Sequence, residues 1–150
     1  MKIKGFLFSA VKAGIRYADR LDLGLVYSET PCVTAGLFTT NQVKAAPVVI
    51  DRERLKGGHA QAILVNSGCA NACTGTKGME VARATSSLVS GALGIADDLV
   101  QLSSTGVIGE QLSLEPFARS VPTLVKELSA DNFEKVAEAI MTTDTVRKIA

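Results

Sequence analysis

Three short segments combine hydroxyls, amides and glycines in ways that folding alone does not demand. Ser103-Ser104-Thr105-Gly106-Val107-Ile108-Gly109 sets a hydroxyl directly beside a glycine. At a strand end, such a pair can aim a side-chain O–H and a backbone N–H at one point. An oxyanion is stabilised that way when the donors stand about 2.7–3.1 Å from it. A plain turn accounts for the same residues. Asn66-Ser67-Gly68-Cys69-Ala70-Asn71-Ala72-Cys73-Thr74-Gly75 follows the most apolar run of the chain. Its small residues allow a ligand or another element to approach the backbone closely. It reads equally as a tight strand-to-helix connection in which Gly and Asn take positive φ. Neither the P-loop spacing nor the G-x-G-x-x-G spacing of phosphate-binding loops can be laid on it. Met141-Thr142-Thr143-Asp144-Thr145 gathers three hydroxyls and a carboxylate. That suits a polar, amino-acid-like ligand, or the N-cap of a following helix.

Other chemistries have little material. The single histidine, His59, follows Lys56-Gly57-Gly58 and reads as an exposed loop residue. The cysteines are Cys32, Cys69 and Cys73, and Cys69-x3-Cys73 with one distant histidine lacks the paired spacing of a structural zinc site. No metal or cofactor is expected. An odd cysteine count without an export signal points to reduced thiols in a cytoplasm, with Cys69 and Cys73 as small packing residues. Sixteen basic and fifteen acidic residues leave no field that would draw nucleic acid or an anionic membrane. No apolar run approaches the roughly 20 residues of a membrane helix.

The elements that must position these segments are partly legible. The 150 residues, 47% apolar and 21% charged, suit one domain with no repeat or linker. Leu21, Leu23 and Leu25 alternate with Asp22, Gly24 and Val26 as a half-buried strand does. Further strands are expected at Val33 to Thr39, at Pro47-Val48-Val49-Ile50, at Ala62-Ile63-Leu64-Val65 and at Leu99 to Ser104. Val81, Ala82, Leu88, Val89, Ala92 and Leu93 form one helical face, with Gly94 as its stop. Leu114 to Leu128 is helical in spacing, and Pro122 is expected to split it into two short helices. Asp131-Asn132-Phe133-Glu134 resembles a capping box opening a helix through Ile140. The class is α/β or α+β, with strand order open.

The blocks together resemble those of the ornithine acetyltransferase (glutamate N-acetyltransferase) family of arginine biosynthesis. Ala35-Gly36-Leu37-Phe38-Thr39-Thr40-Asn41-Gln42-Val43-Lys44-Ala45-Ala46-Pro47-Val48, Asn66 to Gly75, Ser104 to Gly109 and Ala139 to Asp144 all match, in the family's order. The resemblance implies transfer of an acetyl group from N-acetylornithine to glutamate; it leaves open whether acetyl-CoA also serves as donor. It implies a precursor that cleaves itself between an alanine and a threonine, the freed threonine of the β chain carrying the acetyl group and its α-amine acting as base. Residue by residue, Thr105 (hydroxyl) and Gly106 (N–H) match the family's oxyanion hole, and Thr142 a substrate-binding position. The lysine-bearing block and the cleavage point are expected beyond Ala150. The chain thus reads as an α-chain portion lacking the nucleophile. The implied architecture is β-sheets stacked between helical layers, of the N-terminal-nucleophile kind, completed by the β chain in an α2β2 heterotetramer. Two rival readings are an N-terminal-nucleophile aminopeptidase that uses water as acceptor, and a non-catalytic assembly fragment.

Overall fold

The computed structural model describes residues 2–149. Its centre is a four-stranded sheet in the order β1-β2-β3-β4, formed by Phe6–Val11 (β1), Leu23–Val33 (β2), His59–Asn66 (β3) and Val100–Ser104 (β4). β1 and β3 flank β2 antiparallel, whereas β4 runs parallel to β3. The helices are α1 (Ala46–Arg54), α2 (Gly75–Leu93), α3 (Glu115–Lys126) and α4 (Phe133–Ala139). A parallel pair needs a crossover, and α2 supplies it between β3 and β4. The mixed α/β class expected from the sequence is therefore observed. The described residues form one sheet, and no second sheet stacked on it occurs among them.

The two-residue strand period sorts side chains between faces. Leu23, Leu25, Leu64, Val100 and Leu102 join Ala82, Val89, Phe117, Val121 and Leu124 in the main core, under α1, α2 and α3. Full burial of each large aliphatic side chain contributes about 1.5–3 kcal/mol. On the other face Phe8, Val65 and Val136 form a smaller cluster beneath α4, with Phe8 edge-on to Phe133 at 5.2 Å. The remainder of that face is bare: Ile63 is 43% exposed and Val33 88%. Gln101, on the same face, is 5% exposed and its Oε1 has no partner among the described residues.

Both margins of the sheet are occupied by other parts of the chain. Along β4, the Asp51 carboxylate accepts the Leu102 N–H at 2.9 Å, and the Arg54 guanidinium donates to the Val100 carbonyl. Arg54 also donates to Ser86 and pairs with Asp97. Along β1, Phe8 and Ser129 exchange both backbone hydrogen bonds at 3.0 Å.

Several expectations need correction. Pro47 to Ile50 is the first turn of α1, not a strand. Proline suits a helix start, and Ala46, Pro47 and Ile50 recur at helical spacing on the buried side. Val33 to Thr39 is not a strand either. β2 instead continues to Val33 through Pro31, across a register irregularity between Tyr27 and Cys32 that tolerates the missing N–H. Pro122 does not split α3. It sits on the solvent side, where water can serve the Ala118 carbonyl, while Phe117, Ser120, Val121 and Leu124 hold the buried stripe together. No capping box forms at α4: its N-cap is Asn132, without a side-chain cap, and the Asn132 amide donates to Glu127 O. The helix stop at Gly94 is as expected, with φ 68. β1 has no counterpart in the sequence expectations.

Candidate active site

The segment after β3 and the segment after β4 prolong the parallel pairing beyond the sheet. Cys69 bridges Val107 in parallel. The amides of Ala70, Val107 and Gly109 bond to Val107 O, Gly68 O and Ala72 O, respectively. Asn66 anchors both segments. Its carbonyl takes the Thr105 N–H at 2.9 Å, its Oδ1 takes the Ser104 hydroxyl at 2.6 Å, and its Nδ2 donates to Cys69 O at 2.9 Å. Both readings of the Asn66–Gly75 block hold at once. Gly68, Asn71, Cys73 and Gly75 adopt positive φ as a tight connection requires, and the backbone around Gly68 lies close against Gly106, which has no Cβ to keep it away.

Beside these loops lies a cleft of about 320 Å³, within the usual size of small-ligand sites. Thr105, Gly106 and Thr142 all line it, so the three residues singled out from the sequence are brought together. Among the described residues the Thr105 hydroxyl and the Gly106 N–H have no internal hydrogen-bond partner, in a loop whose neighbouring amides are satisfied. Two residues with unspent donors that line one cleft can supply hydrogen bonds to a negative charge there. No helix follows Thr142 among the described residues.

The cleft has a third wall that the sequence reading missed. Arg16, Tyr17 and Arg20, on the turn between β1 and β2, complete its lining. The Asp22 carboxylate, 1% exposed, shapes this turn by accepting the Ala13 and Ile15 amides, each at 2.6 Å. Arg16 pairs with Glu110 just past the Thr105–Gly109 loop. Arg20 donates to the Met141 carbonyl, next to Thr142. Both guanidiniums lie against the Tyr17 ring, at 5.9 and 5.6 Å from its centroid. No local signal marks this turn, because its partners are remote in sequence.

The lining includes four hydroxyl-bearing residues, Tyr17, Thr105, Thr142 and Thr143, but no histidine or carboxylate that could act as a base. The arrangement can hold a polar ligand and stabilise an anion, with no nucleophile activated by the described residues. No group of side chains able to hold a metal ion occurs among them. His59 is exposed, its Nδ1 against Gly57 O. The cysteines are unpaired: Cys69 is buried, whereas Cys73 is exposed and so is not the packing residue expected. Among the described residues no helix is long and apolar enough to cross a membrane.

The chain is 64% identical over 149 residues to an arginine biosynthesis bifunctional protein ArgJ of Desulfotalea psychrophila, and 50% identical to that of Geobacter sulfurreducens. In each case 99% of this chain is covered but only 38% of the relative, so the chain spans under two fifths of their length. The fold matches a crystal structure of ornithine acetyltransferase complexed with ornithine from Mycobacterium tuberculosis. The TM-score is 0.92 at 40% identity, over 95% of this chain and 78% of that one. ArgJ from Bacillus halodurans matches with a TM-score of 0.89 at 36% identity, over 95% of this chain and 75% of that one. Residues 7–150 match the ArgJ family, and the chain belongs to it.

Proposed function

We propose that this chain is the α-chain portion of a glutamate N-acetyltransferase that takes the acetyl group from N-acetylornithine. The observation that carries the reading is the pair of unspent donors, the Thr105 hydroxyl and the Gly106 N–H, lining one cleft with Thr142. When a nucleophile attacks the N-acetyl carbonyl, its oxygen becomes an anion. Donors already aimed at that point stabilise the transition state more than the substrate. Ornithine leaves and an acetyl-enzyme remains; glutamate then takes the acetyl group through an equivalent oxyanion. The nucleophile is the N-terminal threonine of a β chain, with its own amine as base. The cleft's Arg20, which has no carboxylate partner among the described residues, favours ligands that bear carboxylates.

The lengths of the relatives support processing. This chain covers 38% of the full-length relatives but 75–78% of the crystallised chains, which are therefore about half as long as the full relatives. The bare sheet face at Val26, Ile63 and Val33, with the unpartnered Gln101 Oε1, is suited to burial by the remainder of the precursor, the whole assembling as a cytoplasmic α2β2 heterotetramer. The test is to express the full-length protein and to measure acetyl transfer from N-acetylornithine to glutamate and to water, with acetyl-CoA as a second donor. Transfer to glutamate through an acetylated threonine, seen by mass, is expected, and the 150-residue chain alone should be inactive. Release of acetate without transfer would favour the hydrolase. No turnover in processed protein would leave an assembly role.

A further inference from the structure

The Thr142 segment has little to hold it in place. The Ile140 and Met141 amides bond back to Val136 O and Glu138 O, and there the regular structure ends. Among the described residues neither Thr142 nor Thr143 makes a hydrogen bond, and both are exposed. The Arg20 guanidinium, reaching from the β1–β2 turn to the Met141 carbonyl, ties this end to the rest of the cleft, and farther along Arg147 pairs with Glu134 of α4. Among the described residues Arg20 has no carboxylate partner, unlike Arg16, which is paired with Glu110. Its stem is fixed at the other side of the cleft by the turn that Asp22 shapes and by the Tyr17 ring.

We propose that Arg20 is a positioning residue that sets the place of Thr142 opposite the Thr105–Gly106 loop, through the Met141 carbonyl. The proposal rests on the transferase reading above. An untethered segment must be ordered by the ligand itself, and that ordering is drawn from binding energy. Thr142 would be needed equally by substrate and transition state, so losing its position raises KM and spares kcat. The Arg16–Tyr17–Arg20 turn thereby links both walls of the cleft, one arginine to each.

The test uses full-length, processed enzyme with Arg20→Ala, Arg20→Lys and Thr142→Ala. Arg20→Ala is expected to raise KM for N-acetylornithine about tenfold, with kcat within about threefold of the parent. Arg20→Lys, which keeps one donor, should recover part of that loss. The Arg20→Ala, Thr142→Ala double variant should have a KM no higher than about the worse single variant, since both act on one contact. Should Arg20→Ala fail to fold, Arg20→Met keeps the stem without a donor and is read in the same way. A second readout does not depend on activity: hydrogen exchange at the Ile140 and Met141 amides should speed up in Arg20→Ala and less in Arg20→Lys. Unchanged exchange overturns the tether even if no acetyl transfer is found. An unmoved KM, or fully multiplicative effects in the double variant, overturns the positioning role while leaving the transferase reading intact.

Discussion

Gly106 lies backbone to backbone against Gly68: a Cβ built on Gly106 would stand 2.6 Å from the Gly68 carbonyl oxygen and 2.7 Å from the Cys69 nitrogen. Its φ of 133 is also one that side chains avoid. Any side chain here must force the two loops apart, and the unspent N–H with them. Gly106→Ala is expected to cost roughly 2–4 kcal/mol, combining backbone strain with overpacking. Urea denaturation of the full-length protein checks this, and parent-like stability would contradict it.

Thr105→Val keeps the shape of the side chain and deletes one donor. The hydroxyl has no internal partner, so folding should change little. In processed enzyme kcat should fall about 10²–10³-fold, because the charge it meets exists only near the transition state. KM for N-acetylornithine should move far less. Processing must be confirmed by mass first, since the proposed self-cleavage would pass through a similar anion. A kcat within about threefold of the parent, a change below ~1 kcal/mol, would show that Thr105 is not a donor to the oxyanion.

Asp22→Asn replaces a carboxylate that serves two amides, Ala13 and Ile15. Asn can accept only one of them well, and its NH₂ then confronts the other donor in a buried place. The expected loss is about 2–4 kcal/mol, from one charged hydrogen bond lost and one amide left unsatisfied. Because the turn carries Arg16 and Arg20, KM should rise as well. Thermal melting and steady-state kinetics on the same preparation test both effects.

Burial pushes the Asp51 carboxyl up to about 6, although the Leu102 N–H and Arg54 pull it down. The folded protein therefore holds this proton more tightly than the unfolded chain. Asp51's contribution is most favourable below pH 3.8 and is lost as pH rises through about 6. Asp51→Asn can keep the Leu102 hydrogen bond through its Oδ1 and removes the buried charge. Its stability relative to the parent should rise between pH 4 and 7, by about 1 kcal/mol once solvent screening at the partly exposed carboxyl is allowed for. A stability difference independent of pH would remove burial of the charge as the cause.

Local pattern revealed Ala62–Val65, Leu99–Ser104 and the face of α2, because each buries its own periodic stripe. It misread Pro47–Ile50, where a helix start rich in valine resembles a strand, and Pro122, where a buried stripe outweighs one missing N–H. Thr105, Gly106 and Thr142, which line one cleft, were singled out by block resemblance, since local spacing alone favoured a turn. Arg16, Tyr17 and Arg20 were not. Their roles arise from Asp22 bending the turn and from contacts with Glu110 and Met141, which no short window contains.

The side chains of Asp51 and Arg54 along β4, and Ser129 along β1, leave little backbone free for an incoming strand. Further polypeptide can thicken this fold far more readily than it can widen it. An isolated preparation, if it clumps, should do so through the greasy patch at Val26, Ile63 and Val33 and stay amorphous, since fibril growth needs open strand margins. Mild detergent or a charged substitution at Ile63 should then disperse it, whereas substitutions along β1 or β4 should not.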